Sequence, residues 1–262
     1  MASLVVAGCG DDGGMNETGG GDASTGTPTA ATTTTSADGS TSTDPGTTTT
    51  ETTGADESTE EPPPEPWPEF DCDGVDGIHE GNILIETPED LAQLEGISVI
   101  TRALVINDTD VTDLDFMGCV TSVGEDLQIF GNAQLANVDG LVNVGEVGGS
   151  FIFSENHAVT SFNGLQMLPR ISGSMSMNKN DGLTEIAGFD SLIGIEGNIT
   201  IRDNGALTHV DGLKGLAVVG GVLAITGNPM LCISSVNCVG DGITIPPSFP
   251  PEWSTAANNE GC

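Results

Sequence analysis

An asparagine recurs at an unbroken spacing of 24 residues, and this repeat constrains the fold more than any other feature of the chain. The five copies are Asn132, Asn156, Asn180, Asn204 and Asn228. Each copy ends the pattern apolar-x-apolar-x-x-Asn. Self-similarity at a fixed period is typical of solenoids, in which each repeat buries its apolar face only by packing on its neighbours. The sequence therefore predicts a solenoid with coils of about 24 residues.

The alternation before each asparagine predicts a strand, and the second half of each repeat predicts short extended segments. In that half the apolar residues lie three apart, as at Val138, Leu141, Val144 and Val147. An α-helix would need apolar residues at i, i+3, i+4 and i+7. A glycine recurs in the same half, and we expect it to permit tight bends at the corners because it adopts conformations that other residues avoid. These glycines are Gly140, Gly164, Gly188 and Gly212.

Successive coils stacked as parallel strands about 4.8 Å apart place each apolar column on top of itself. The asparagines then form a buried ladder whose side-chain amides bond backbone groups of their own and the adjacent coil. Residues 82–85 and 103–106 are predicted to form two looser coils before the regular set, and residues 243–245 are predicted to form a last strand. The expected domain is an all-β, parallel β-helix over residues 71–262, with about seven coils.

Five of the six cysteines lie at the ends of this domain, where a solenoid leaves an apolar face to be capped. They are Cys72, Cys119, Cys232, Cys238 and Cys262. Disulfide-held caps are expected, with Cys72 bonded to Cys119 at the N-terminal end. Among the last three cysteines only one pair can form internally, and the sequence leaves open which one, so one thiol is expected to remain. The cysteine spacing contains no C-x-x-C motif and indicates an oxidising, extracytoplasmic compartment.

Residues 1–9 end in the tetrapeptide Val-Ala-Gly-Cys, which resembles the lipobox of bacterial lipoproteins. The resemblance implies that Cys9 is diacylated and anchors the protein in a membrane. The apolar run before Cys9 is short and no basic residue precedes it, so we expect the true start to lie upstream. Residues 10–70 are rich in Thr, Ser, Gly, Asp, Glu and Pro, which predicts a disordered stalk that holds the domain away from its anchor. A mucin-like glycosylated stalk is the alternative.

The charge of the chain argues against two classes of partner. The net charge is −34, with five basic residues against 39 acidic ones, whereas nucleic acids and anionic membrane surfaces attract Lys and Arg. Residues 10–70 hold 13 of the acids, which leaves 26 beside all five bases in residues 71–262. No apolar stretch reaches about 18 residues, so no transmembrane helix is expected. We therefore expect membrane contact only through the lipid on Cys9.

The asparagine is followed by x-x-Leu and then by Thr-x-apolar-x-Gly-apolar, as in residues 183–189 and 207–213. These repeats resemble the receptor L-domain family, which is related to leucine-rich repeats. The resemblance implies a right-handed β-helix with disulfide-held ends that binds without catalysis, and it supplies no ligand residues. Together with the lipobox and the stalk, the repeats also resemble bacterial surface lipoproteins of the cell envelope.

Side chains that point outward between the buried strand residues are the first candidates for ligand contact. Phe130 and Ile152 are apolar neighbours there, and neighbouring exposed apolar residues can mark a contact surface. Asn178 and Arg202 complete the set of candidate contact residues. Together with the lipobox-like segment, the stalk and the cysteine pattern, these four candidate residues predict a lipid-anchored, non-catalytic binding or adhesion module for a protein or glycan. No cofactor or metal is expected, because the calcium-loop-like segment 71–77 lacks a closing glutamate.

Two alternatives stay open at this point. One is a structural cell-envelope protein without a specific ligand, and the other is a β-helix enzyme that acts on polysaccharides. Such an enzyme needs clustered carboxylates with Lys or Arg on one outward face, and only Lys179, Arg202 and Asp203 approach that arrangement. The sequence therefore favours the binding module.

Charged side chains one coil apart are expected to pair across adjacent coils. The expected pairs are Glu155 with Lys179, His157 with Asp181, Glu146 with Arg170, and Glu185 with His209. A hydrolytic site built from His157, Asp181 and Ser154 is disfavoured, because no Gly-x-Ser-x-Gly motif surrounds the serine.

Overall fold

The computed structural model describes residues 70–244 and 253–262. The predicted lipobox segment 1–9 with its anchor Cys9, and the predicted stalk up to residue 69, lie outside the described residues. The described residues form the predicted domain.

The domain is a parallel β-solenoid whose chain winds between two seven-stranded sheets. The first, here called the wide sheet, contains β2 (Ile83–Ile85), β4 (Leu104–Asn107), β6 (Leu127–Phe130), β8 (Phe151–Ser154), β11 (Met175–Asn178), β14 (Ile199–Arg202) and β16 (Leu223–Thr226). The second, the narrow sheet, contains β1 (Gly77–His79), β3 (Ile97–Ile100), β5 (Ser122–Val123), β7 (Glu146–Val147), β10 (Arg170–Ile171), β13 (Gly194–Ile195) and β15 (Val218–Val219). A two-stranded sheet joins β9 (Ser161–Phe162) to β12 (Glu185–Ile186).

Strand pairing follows the sequence period. Phe151 lies between Leu127 and Met175 in parallel register, so identical repeat positions stand directly over one another. The first two steps are shorter, because Ile83 pairs with Leu104 and Leu104 pairs with Leu127. The predicted fold class, an all-β parallel solenoid with coils of about 24 residues, is thus confirmed, including the two looser N-terminal coils.

Alternation along each wide-sheet strand separates core from surface. In β6, Leu127 and Ile129 are fully buried, whereas Gln128 and Phe130 are half-buried on the outer side. The inward residues of all coils merge into one apolar core. At its centre four phenylalanines pack with ring centroids 5.1 to 6.4 Å apart. These are Phe151, Phe153, Phe162 and Phe189.

The half of each coil with apolar residues three apart is less extended than the sequence predicts. It contains two-residue strands, but also single 3-10 turns in which a backbone N–H bonds the carbonyl three residues earlier, as from Val142 to Asp139 at 3.0 Å. A spacing of three suits a 3-10 turn as well as a strand, because side chains three apart are eclipsed there. The turns are Pro88–Gln93, Asp115–Met117, Asp139–Leu141 and Asp211–Leu213.

The repeated glycines permit close approach of coils, and none of the four has a positive φ, so the expected conformational reason for a glycine at the bends is not found. A Cβ on Gly140 would lie 1.7 Å from the carbonyl oxygen of Leu114 in the preceding coil. The left-handed backbone that makes the bend lies instead at the position before each ladder residue, with φ between 52° and 74°. The residues in that position are Asp108, Gly131, Glu155, Lys179, Asp203 and Gly227.

Irregular segments close both ends of the stack. At the N-terminal end Cys72 is bonded to Cys119, and Phe70 packs against the core. At the C-terminal end the helix α1 (Ile233–Gly242) covers the last coil with Val236 and Val239 fully buried. No helix in the described ranges is long and apolar enough to cross a membrane.

The two predictions about the C-terminal end have different outcomes. Ile243 and Thr244, which belong to the predicted strand 243–245, form no strand, and residue 245 lies outside the described residues. They follow α1, in which Val236, Val239 and Gly240 recur at helical spacing and turn one buried face to the core. Cys232 is bonded to Cys262, and Cys238 is disulfide-bonded as well, so the expected spare thiol is not found among the described cysteines. These disulfides are consistent with an extracytoplasmic location.

Candidate binding face

The asparagine ladder is a structural element of the corner, and it does not line a groove. All five asparagines are fully buried. The backbone N–H of Asn180 donates to Oδ1 of Asn204 at 2.9 Å, and the side-chain Nδ2 of Asn180 donates to the carbonyl oxygen of Phe153 at 3.1 Å. In turn, Oδ1 of Asn180 accepts the backbone N–H of Asn156 at 3.1 Å. The side-chain amide of Asn180 therefore satisfies two backbone groups of the preceding coil, and its own backbone N–H is satisfied by the side chain of the following one.

Both ends of the ladder use residues that the 24-residue period did not reveal. At the N-terminal end Thr109 takes the position, and its N–H and hydroxyl donate to Oδ1 of Asn132 at 3.0 and 2.7 Å. At the C-terminal end Asn258 accepts the N–H of Asn228 at 3.2 Å through Oδ1. Asn258 reaches that place because Ser254 pairs with Ala224 and extends the wide sheet beyond β16. The cap helix inserts extra residues between the last two ladder members, which is why the period fails there.

A second polar ladder runs along the edge of the wide sheet where its strands begin. Oδ1 of Asp126 accepts the N–H of Ser150 at 2.7 Å, and the hydroxyl of Ser150 accepts the N–H of Ser174 at 3.1 Å. The hydroxyl of Ser174 and the amide of Asn198 repeat the contact in the next two coils. The sequence carries a signal for this second ladder, because a residue with a short hydrogen-bond acceptor recurs at the same position of successive repeats. This edge is therefore occupied by structural hydrogen bonds.

The outer surface of the wide sheet, here called the outward face, carries two columns of side chains. Strand register fixes the columns, since Gln128 lies beside Ile152 and Phe130 lies beside Ser154. The first column is Leu84, Val105, Gln128, Ile152, Ser176, Thr200 and Ala224. The second is Asn107, Phe130, Ser154, Asn178, Arg202 and Thr226. All four candidate contact residues lie on this face.

The outward face differs in charge from the rest of the domain. No residue in either column is acidic, although residues 71–262 hold 26 acids against five bases. Glu86 and Asp126 border the columns and accept hydrogen bonds from Asn107 and Gln128. The N-terminal part of the face is mainly apolar: Val105 and Ile152 flank Gln128 in the first column, Phe130 is their diagonal neighbour in the second, and Leu84 beside Val105 is 45% exposed. The C-terminal part carries hydroxyl and amide groups, and the exposed Arg202 lies there in the last strand but one of the sheet. The face is thus mainly apolar toward its N-terminal end and holds one cation near its C-terminal end.

The cations of the domain are mostly paired with nearby carboxylates. Nζ of Lys179 lies 2.9 Å from Oε1 of Glu155, and Arg102 and Lys214 also have carboxylate partners. In the part of the chain that the structure describes, Arg170 and Arg202 form no ion pair. Only Arg202 of these two stands on the outward face.

The hydrogen bond from Lys179, followed by its charge, holds the pKa of Glu155 below the ordinary value for a glutamate. The same contact raises the pKa of Lys179. This pair joins successive left-handed corner residues just beyond the strand ends, so it borders the outward face.

Two of the four predicted ion pairs are present in the structure. Besides Glu155 with Lys179, Nδ1 of His157 lies 3.3 Å from Oδ2 of Asp181.

The other two predicted pairs are wrong, because each glutamate accepts a serine hydroxyl from the preceding coil. Glu146 accepts from Ser122 at 2.9 Å, and Glu185 accepts from Ser161 at 2.7 Å. The expected partners Arg170 and His209 therefore form no ion pair in the described ranges. Nδ1 of His209 lies 2.9 Å from the hydroxyl of Thr208.

The structure assembles no reactive site around the groups considered from the sequence. Ser154 stands on the outward face, whereas His157 follows the ladder corner, and no hydrogen bond joins the two among the residues described. The Asp71 carboxylate accepts the N–H of Asp73 at 3.0 Å, as in an ordinary acidic turn. Within residues 70–244 and 253–262, no group of three or more His, Cys, Asp or Glu could hold a metal ion.

Two acceptors in the second column lack partners. Oδ1 of Asn107 and Oδ1 of Asn178 are buried without a hydrogen bond in the described part of the chain. The Nδ2 groups of these residues donate to Glu86 and Ser176. A buried acceptor without a donor costs free energy, so these two side chains are not fully satisfied within the described residues.

No family model, curated protein or solved structure matches this chain. The fold and the face together define a disulfide-capped β-solenoid with a partly apolar sheet surface whose two columns contain no acidic residue.

Proposed function

We propose that this protein is a non-catalytic binding or adhesion module that recognises a protein or glycan through the outward face. The carrying observation is the absence of carboxylates from both columns of that face in a domain with 26 acids and five bases. Repulsion between like charges stacked one strand apart also disfavours carboxylates in these columns. Contact surfaces are depleted of charge at their centres and enriched in aromatic side chains, and the face combines both features.

The apolar side chains on the face add to this argument. Phe130 and Ile152 are diagonal neighbours in adjacent strands, with Val105 and Leu84 continuing the cluster toward the N-terminal end. Contiguous exposed apolar residues mark interaction sites more often than scattered ones do. Leu84 is strongly exposed, whereas Val105, Phe130 and Ile152 are half-buried, and other strongly exposed apolar side chains, such as Met167, lie outside this cluster.

The finer assignment to the receptor L-domain class is part of the proposal. It is supported by the asparagine ladder, the repeat motif that follows it, and the disulfides at both ends of the stack. That class implies right-handed winding and binding without catalysis.

We further propose a location outside the cytoplasm, at the cell surface, with Cys9 as a lipid anchor and residues 10–70 as its tether. Two disulfides with both cysteines in the described ranges support export. Cys9 lies outside the described residues, and its support is the lipobox-like tetrapeptide. Metabolic labelling with a fatty acid tests this part, since a Cys9→Ser chain should lose the label.

Saturable binding of the full chain to arrays of surface proteins and glycans tests the main proposal. Phe130→Ser and Ile152→Ser should each weaken binding about fivefold or more, because loss of an energetically important contact at the centre of an interface costs over about 1 kcal/mol. Met167→Ser is the matched control, since Met167 is 60% exposed and lies outside both columns. Binding that is unchanged in both face variants would contradict the proposal.

Two other outcomes would point to the alternative functions. A chain with no saturable ligand on either array would favour a structural envelope protein. Turnover of an acidic polysaccharide would favour an enzyme.

A further inference from the structure

We propose that the outward face binds an extended peptide that places a carboxylate on Arg202 and an apolar side chain on Phe130 and Ile152. This inference rests on the proposed binding function and specifies its ligand. The ligand is a peptide whose carboxylate and apolar side chain lie at a fixed separation.

The charge of Arg202 favours a carboxylate on the ligand. Arg202 is exposed, has no ion-pair partner in the described ranges, and stands on a surface without carboxylates. An arginine can bind a carboxylate through two parallel hydrogen bonds. The adjacent Asp203 opposes an anionic ligand and the nearby Lys179 favours one, while repulsion from more distant acids is screened over about 8 Å at physiological salt. Arg202 is therefore the place on this face where an anionic group is stabilised.

The N-terminal end of the outward face favours an apolar side chain on the ligand. Its apolar residues are the aliphatic Leu84, Val105 and Ile152, together with Phe130, the single aromatic residue in the two columns. Aliphatic side chains gain free energy by covering other apolar groups. The hydroxyls of a sugar would instead lose water without finding hydrogen-bond partners there. The apolar end therefore favours a peptide side chain over a glycan.

The separation of the two ends matches an extended peptide. Phe130 and Arg202 stand in the same column, three strand steps apart. At about 4.8 Å per step this is roughly 14 Å, and an extended chain advances about 3.3 Å per residue. About four peptide bonds thus separate the apolar residue of the ligand from its carboxylate.

Three sets of five-residue peptides test the inference against the full chain. Each begins with leucine, and small polar residues fill its middle positions. The first ends in glutamate with an amidated C-terminus, the second ends in alanine with a free C-terminus, and the third ends in glutamine with an amidated C-terminus. The first two sets distinguish a side-chain carboxylate from a terminal one, and the third removes the charge.

The parent should bind at least one carboxylate set about fivefold more tightly than the amide set, which corresponds to about 1 kcal/mol for an exposed ion pair. Arg202→Gln should abolish this preference. Arg170→Gln is the matched control, because it removes the other unpaired arginine and changes the net charge equally. Raising the salt concentration should reduce the preference in the parent.

The outcomes separate this inference from the proposed function. Phe130→Ser should weaken all three peptide sets alike, because the apolar contact is common to them. Equal binding of charged and amide peptides, no peptide binding at all, or equal effects of Arg202→Gln and Arg170→Gln would overturn the peptide inference. A preference for uronic-acid oligosaccharides over peptides would overturn it too, while leaving the proposed binding function intact.

Discussion

Replacing Asn180 by alanine tests the hydrogen-bond ladder that supports every assignment of inward and outward faces. In the folded protein the Asn180 side chain accepts the buried N–H of Asn156 and donates to the carbonyl oxygen of Phe153. It also donates to Oδ1 of Asn204, but that oxygen keeps the backbone N–H of Asn180 as a partner. The substitution therefore leaves one buried donor unpaired and removes one bond to a carbonyl.

The magnitude follows from these two losses. A buried donor without a partner costs roughly 1–3 kcal/mol, and a lost hydrogen bond costs roughly 0.5–1.5 kcal/mol. Asn180→Ala should thus lower the free energy of unfolding by about 2–4 kcal/mol.

Asn178→Ala is the matched control, since this asparagine is two residues away and on the outward face. Its side chain makes one bond, to Ser176, and holds an acceptor without a partner, so its removal should cost less than about 1 kcal/mol. Urea unfolding followed by circular dichroism, with the disulfides kept intact, measures both variants. If Asn180→Ala unfolds at the same urea concentration as the parent or as Asn178→Ala, the ladder does not hold the corner and the reasoning is refuted.

Two further predictions concern the corners and the glycines. The lowered pKa of Glu155 means that its contribution to stability is present above the ordinary glutamate pKa and is lost as pH falls through the lowered value. Lys179→Met should therefore be less stable than the parent at neutral pH but not at strongly acidic pH, and an NMR titration should show the pKa of Glu155 returning toward its ordinary value. If this pKa stays low in Lys179→Met, the pair is not its cause. Gly140→Ala should cost more than about 2 kcal/mol in urea unfolding, because its Cβ would overlap the Leu114 carbonyl oxygen. Gly205→Ala has no atom within 4 Å of the new Cβ and should be nearly neutral, so equal effects of the two substitutions would contradict the close-approach argument.

The candidate face was predictable in outline but not in detail. Alternation in the strand sequence is enough to predict that Phe130 and Ile152 point outward, because successive side chains of a strand face opposite sides. It does not reveal that Arg202 lacks an ion-pair partner or that Asn178 holds an acceptor without a donor. Those properties depend on side-chain contacts between coils, where a serine hydroxyl can replace an expected cation, as it does at Glu146.

The repeated glycines show the same limit on what can be predicted from the sequence. A glycine at a fixed repeat position indicates a backbone constraint, but two constraints share that signal. One is a left-handed bend, and the other is contact with the adjacent coil. At Gly140 the constraint is contact, whereas the bend falls on residues such as Glu155 and Lys179 that have no special propensity for it.

By itself the sequence determined the winding of the chain, the apolar columns and the buried ladder. It could do so because a constant period forces equivalent residues to stack, and stacking decides which side chains are buried. The ends of the stack depended on tertiary structure alone. Asn258 joins the ladder 30 residues after Asn228, beyond a helix that breaks the period, and only the folding of that segment onto the last coil brings the two amides together.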